Sequence, residues 1–381
     1  MTKIGLKTFI CAFLFWYGLG YLNSNLSKGM VFSETTFSII LFFIVALLGY
    51  FPSYYRATAR HIGPSPSLRS GSYSYVLVVL AVITITSVLI GSSGMLRYHS
   101  LRAEIAIGIF VYIYSYQFTG WRKAILLAIF GAILIYSLGI YSRRPFLTLA
   151  APVLLVPLIQ KRIPTYLALP GAVLTVAIAG AGLLYITGLR YLGTQASLLE
   201  VVALVHQGLL VFLQGEGFDT VWLTQYVVES YDASNYHLGG TFLGGLFNFV
   251  PRAVWADKPI AFGMILSAEY FYVQIEGLFT NFGPGIVAEA YANGGLLAVI
   301  MIAFIFGLVI GRVDRAVEVD RFNCNRILFA CVFYPAIFFM IRGDFLNSFY
   351  ELYSKTLVIF LMAIVLRVRL FAWPASTRLS R

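Results

Sequence analysis

The chain is short of charge. Only 11% of its 381 residues are Asp, Glu, Lys or Arg, and 60% are hydrophobic. Soluble domains carry roughly 25% charged residues, and the mean hydropathy of +0.84 lies far above their range. A soluble globular protein is therefore excluded. Cysteine is also scarce: Cys11, Cys324 and Cys331 are odd in number, and their spacing fits neither a disulfide framework nor a metal site. Asp-x-Asp, GxxxxGK[ST] and zinc-type His/Cys spacings are absent, which removes the usual ways of holding a nucleotide-sugar metal or a nucleotide phosphate. The sequence thus points to no cofactor and no metal. No cleavable signal peptide precedes the first apolar run, which reaches spanning length without a small-residue cleavage site. No long Ser/Gly-rich linker and no internal repeat occur; transporters built from duplicated halves often have such repeats.

What is present is a series of apolar runs near the roughly 20 residues that a bilayer crossing needs. The pattern predicts helices at about 4–22, 36–54, 73–91, 103–119, 124–140, 146–160 and 165–187, then at 287–311, 326–341 and 353–371. The fold class is an all-α polytopic membrane protein with about ten crossings. It divides into an N-terminal bundle (1–187), a large outer loop (188–286) and C-terminal helices (287–381). Of the 27 Lys and Arg, 17 fall on the face carrying both termini and 10 on the other. Of the 16 acids, 3 and 13 do so. The faces therefore net +14 and −3, which sum to the formal +11. An ordinary positive-inside bias accounts for the high isoelectric point and puts both termini in the cytoplasm. Nucleic-acid binding is not needed to explain it.

The outer loop departs from this pattern. Ser197–Leu213 is apolar but short, and reads as an interfacial or re-entrant helix. The following GEGFDTVWLTQYVVESYD holds four acids and no Lys or Arg, so it makes a poor cytoplasmic loop. Arg143, Arg144, Arg190, Arg252, Lys258 and Arg342 lie on this outer side. Each either snorkels to headgroups and pairs with an acid, or joins others around a phosphate or pyrophosphate, for which Arg offers forked donors. In FVPRAVWADKP, Pro251 and Pro259 bracket Arg252, Trp255 and Lys258 and disfavour a continuous helix, holding two cations at one place beside the membrane. Farther on, in FGPGIVAEAYANGG, Pro284 suits the first turn of a helix. Glu289 follows inside it and shares a face with Asn293. A carboxylate there reads either as a general base for a sugar hydroxyl or as a helix-start acid satisfied by the dipole. His206 and His237 are rival bases. The loop aromatics, Trp255 among them, suit sugar faces as well as interface anchoring. The glycine pairs Gly18–Gly20, Gly180–Gly182 and Gly307–Gly311 read as close helix packing.

GGTFLGGLFNFVPRAVWADKP, followed by GPGIVAEAYANGG and a helix ending in GLVIGRVDR, resembles the bacterial oligosaccharide repeat-unit polymerases, the Wzy-type O-antigen polymerases. The resemblance is specific across about 239–312 and extends to SRRPFL and RGDF. It implies an inner-membrane enzyme of 10–12 helices with a GT-C-like fold and an active site facing the periplasm. The implied reaction moves a growing chain from one undecaprenyl-pyrophosphate carrier to the non-reducing sugar of a carrier-linked repeat unit, inverting the anomeric carbon without a metal. Family roles fall on Arg252 and Lys258, and on Glu289, Tyr291 and Asn293; Arg143, Arg144 and Arg342 match more loosely. A chain-length regulator is an implied partner. An O-antigen ligase shares the same donor and is the nearest alternative, followed by a transporter or flippase for such lipids.

Overall fold

A computed structural model describes residues 3–18, 33–56, 97–116, 118–139, 143–161, 219–271 and 283–365. Among the described residues all regular structure is helical. In chain order the helices are α1 (Ile4–Phe13), α2 (Glu34–Arg56), α3 (Arg97–Ser115), α4 (Gly120–Gly139) and α5 (Arg143–Ile159). There follow α6 (Asp219–Ser230), α7 (Gly240–Leu246), α8 (Phe262–Phe271), α9 (Gly285–Val319), α10 (Cys324–Arg342) and α11 (Phe345–Val365). Of the predicted segments, 73–91, 165–187 and 197–213 lie outside the described residues. Three described helices are long and apolar enough to cross a membrane: Glu34–Tyr55, Gly285–Val319 and Cys324–Arg342. The protein is an all-α polytopic membrane protein.

The most extensive helix contact is α2 along α9. Small residues make it possible. A Cβ built at Gly307 would collide with the carbonyl of Ala46, and one at Gly311 would stand 2.6 Å from the carbonyl of Tyr50. Gly49 on α2 meets the Phe304 carbonyl in the same way. The two backbones thus touch along the seam, as the Gly307–Gly311 spacing predicts. The rings of Phe9, Phe13, Phe42, Phe43 and Phe306 fill the space beside it, where α1 joins. Helix α10 packs on α1, α5, α9 and α11, and α3 packs on α4, α5 and α11.

Two helices run past the limits that hydropathy sets, each for a polar reason. Helix α9 continues to Val319, eight residues beyond the predicted end at 311. The extra turns hold Asp314, which is buried and accepts hydrogen bonds from the N–H groups of Gly5 and Leu6 at 2.7 and 3.0 Å. It also accepts from the hydroxyls of Tyr50 and Tyr334 at 2.9 and 2.7 Å. This carboxylate satisfies the open N–H groups at the head of α1 and ties four helices together. At the other limit, α11 starts at Phe345 rather than 353. Asp344 caps it, accepting from the N–H of Asn347 at 2.7 Å, and a Glu351–Lys355 pair at 3.1 Å neutralises its first polar turns.

A straight 35-residue helix would be roughly 52 Å long, well beyond a hydrocarbon core of about 30 Å. Helix α9 is not straight. It breaks at Gly294–Gly295, where Gly295 has φ 60° and ψ −151°, a conformation that glycine adopts freely. The break separates a short buried helix, 285–293, from the part long enough to cross.

Replacing Gly307 by Leu is expected to destabilise the detergent-solubilised protein by about 3 kcal/mol, since the α2–α9 seam has no room for a side chain. Leu48→Ala, at an exposed position on α2, should change stability by no more than about 0.5 kcal/mol. Thermal unfolding of the two purified variants checks this; equal melting would contradict the close approach.

Candidate active site

The short helix 285–293 opens at Pro284, which serves as its N-cap, and almost every residue in it is buried. Glu289 is 0% exposed. Its Oε2 accepts from the backbone N–H of Phe345 at 2.6 Å, while its Oε1 makes no hydrogen bond of normal geometry, the Thr241 hydroxyl being near the carboxylate only as a weaker partner. The donor is one of the open N–H groups at the head of α11, so the positive end of that helix faces the carboxylate. Asp344, one residue before the donor, is also buried. Asn293, one turn after Glu289, donates through Nδ2 to the carbonyl of Glu289 at 2.7 Å and to Thr241 Oγ1 at 2.8 Å. Sequence periodicity places Glu289 and Asn293 on one face. The structure adds that α7 closes that face, with Thr241 on Asn293 and Phe242 edge-on to Phe345 at 5.0 Å.

Tyr291 turns elsewhere. Its hydroxyl donates to Glu34 Oε1 at 2.8 Å at the head of α2, and its ring meets Tyr236 edge-on. The Tyr236 hydroxyl fills the space that a Cβ on Gly295 would need. The N–H of His237 donates to the Ala292 carbonyl at 2.9 Å, so the outer loop is fastened to the site helix by its backbone.

The segment 247–260 has no regular structure. Lys258 is buried, and its ammonium donates to the carbonyls of Asn248 and Val250 at 3.0 and 2.9 Å. It closes this segment into a loop. Burial, and then the Arg252 charge, hold its pKa below the ordinary lysine value. Arg252 lies at the exposed tip, donating to the Ala256 carbonyl at 3.2 Å, and Trp255 beside it is half-buried. The same stretch of chain exposes apolar side chains: Leu238 is 81% exposed, Val254 79% and Phe249 64%, with Leu243 and Leu246 on α7 and Phe247 just after it. An exposed cation within an exposed apolar patch matches what an interfacial segment needs in order to meet a charged lipid head.

Of the other candidate residues, Arg342 stands with its backbone against Gly283, just before the site helix. The Arg342 guanidinium stacks 4.5 Å from the centre of the Trp16 ring at the end of α10. Arg143 and Arg144 open α5 rather than close the helix before it, and Arg190 lies outside the described residues. Sequence reasoning missed Glu34, Thr241 and Asp344. Asp344 had a readable signal, an Asp three residues before Asn347 at the start of an apolar run. Glu34 and Thr241 had none, because their partners are 257 and 52 residues away.

His237, a rival base, lies with its ring 5.5 Å from Tyr231 and 5.8 Å from Phe262. Burial lowers its pKa from the ordinary value, and the Glu269 charge partly offsets this. The unfolded chain then takes up a proton at higher pH than the native state does. This contribution to stability is complete above about pH 6.5 and is lost as the pH falls below it. The melting temperature of the purified protein should therefore fall between about pH 7 and pH 5. His237→Asn should flatten that slope; an unchanged slope would assign it to other groups.

What this arrangement offers is a dry carboxylate with one oxygen only weakly engaged, joined through α7 to a rigid loop that displays a cation at an apolar surface. No curated protein and no solved structure matches the chain. A family model does: O-antigen polysaccharide polymerase Wzy matches residues 92–373, an interval that contains Glu289, Asn293, Arg252 and Lys258. The chain belongs to the Wzy family of O-antigen polysaccharide polymerases.

Proposed function

We propose that this membrane polymerase joins undecaprenyl-pyrophosphate-linked repeat units by block transfer, with Glu289 as the base and Arg252 as the group that meets the departing diphosphate. Family membership selects a polymerase from among the polymerase, ligase and transporter readings. The observation that carries the residue roles is the buried Glu289 carboxylate, held at one oxygen by Phe345 and only weakly met at the other.

In the proposed step the non-reducing-end hydroxyl of a carrier-linked repeat unit attacks the anomeric carbon of the growing chain. Its proton passes to Glu289 Oε1 as the new glycosidic bond forms. The bond from the anomeric carbon to the pyrophosphate oxygen breaks, and its electron pair leaves on undecaprenyl pyrophosphate. Attack opposite the leaving group inverts the anomeric carbon. Arg252 offsets the growing charge in place of a metal. Lys258 holds the loop in shape by binding two of its carbonyls, so its contribution to the diphosphate site is mainly the placement of Arg252. Trp255 offers a half-buried ring to a sugar face, while Tyr291 and Asn293, buried and bonded to Glu34 and Thr241, hold the site helix in place. Arg143 or Arg144, at the start of α5, assists Arg252 at the diphosphate. Arg190 and Arg342 complete the outer basic set. The enzyme lies in the inner membrane with its termini in the cytoplasm and this site toward the periplasm, as the distribution of basic residues supports. A GT-C-like bundle, the division at 187 and 286, and pairing with a chain-length regulator belong to the same reading.

Purified protein mixed with defined lipid-linked repeat units should yield a ladder of lengthened chains without added energy. Glu289→Gln is expected to slow it about 100- to 10,000-fold, the usual span for losing a general base. Arg252→Ala should abolish long-chain polymer in cells while the protein remains in the membrane at its normal level. Unaltered chain length in that strain removes Arg252 from the site.

A further inference from the structure

A cavity of about 370 Å³ opens beside the site helix, lined by Tyr226, Ser230, Tyr231, Asn235, His237 and Glu269. Its volume lies at the small end of ligand pockets, which begin near about 300 Å³. Three elements build it: the last turn of α6 supplies Tyr226 and Ser230, the turn 231–237 follows, and α8 supplies Glu269.

The walls are fixed before anything binds. The Tyr231 hydroxyl donates to Glu269 Oε2 at 2.6 Å. Asn235 is committed at both ends of its amide, donating to the Ser230 carbonyl at 2.9 Å and accepting from the Asp232 N–H at 2.7 Å. The His237 ring is wedged between Tyr231 and Phe262, yet its Nε2 is buried without a hydrogen-bond partner. A carboxylate fixed at one oxygen retains acceptor capacity at the other, and an imidazole nitrogen can donate or accept. These groups, with a serine hydroxyl and tyrosine rings, are a set that reads neutral hydroxyls and the apolar face of a sugar ring.

Charge excludes the obvious competitor. Among the described residues no Lys or Arg lines the cavity, and Glu269 does, which disfavours a diphosphate there. The positive and negative chemistries of the outer face are thus divided between the Arg252 loop and this cavity. The cavity is nonetheless joined to the reacting end. The His237 N–H is bonded to the Ala292 carbonyl, and Tyr236 stands against Tyr291 and Gly295.

We propose that this cavity is a saccharide subsite that seats a sugar of the acceptor repeat unit adjoining the one whose hydroxyl reacts. Glu269 and His237 read its hydroxyls, and Tyr231 and Tyr226 form its wall. This rests on the reading of Glu289 as the acceptor-side base.

Two measurements on full-length protein in nanodiscs test it. In steady-state polymerisation with a defined lipid-linked repeat unit, Glu269→Ala and Tyr231→Phe are expected to raise the acceptor KM about tenfold, the loss of one good hydrogen bond, with kcat within about twofold. In saturation-transfer NMR with the free repeat-unit saccharide, wild type should show contact and Glu269→Ala should lose it, while both proteins melt at the same temperature. An unchanged KM in both variants, or saccharide contact that persists in Glu269→Ala, overturns the subsite. Failure of the underlying reading looks different: Glu289→Gln would polymerise normally while the saccharide still contacted the wild-type cavity.

Discussion

A bilayer leaves polar groups no water, so every buried donor and acceptor must find its partner within the protein. The seam between α2 and α9 rests on that constraint. Along its middle the two backbones touch through Gly49, Gly307 and Gly311, and the Ser53 hydroxyl donates to the Leu308 carbonyl at 2.7 Å. At its ends, where polar groups cannot be avoided, carboxylates close the account. Asp314 gathers two N–H groups and two tyrosine hydroxyls, and Glu34 takes the hydroxyl of Tyr291. The seam is therefore close in the middle and pinned at both ends, and a single register satisfies all of it.

Glu289 obeys the same rule only halfway. One of its oxygens is met by the head of α11, and the other is met only weakly. Asp314, buried as deeply, has four donors. The contrast between two carboxylates on one helix separates a structural acid from the one proposed as the base. The break at Gly295 makes the difference possible. It releases residues 285–293 from the crossing part of α9 and lets α7 and the 231–237 turn pack against them.

Much of this is legible along the chain. Hydropathy marks the positions of α1–α5 and α9–α11 but not the short helices α6–α8 of the outer loop, the Gly307–Gly311 spacing marks the seam, and Pro284 marks the start of the helix that carries Glu289. The segments AEAYANGG and PRAVWADKP carry the resemblance read from the sequence, and both lie inside the interval that the family model matches. The misses share a cause. Hydropathy misplaces the end of α9 and the start of α11 because Asp314, Asp344 and Glu351 look like loop residues until their partners are in place. Lys258 reads as a free cation in sequence, and only the fold turns its ammonium onto the carbonyls of Asn248 and Val250. Glu269 carries no local mark at all, since Tyr231, its partner, is 38 residues away.

Composition and hydropathy alone determined that this chain lies in a membrane as a bundle of helices. Both properties sum over residues and do not depend on which residues meet. The tertiary structure decided which carboxylate is satisfied and which is left half-free, and that the basic loop and the acidic cavity flank the same short helix. Hydrogen bonding depends on contacts between residues far apart in the chain, and those distances exist only once the helices have packed.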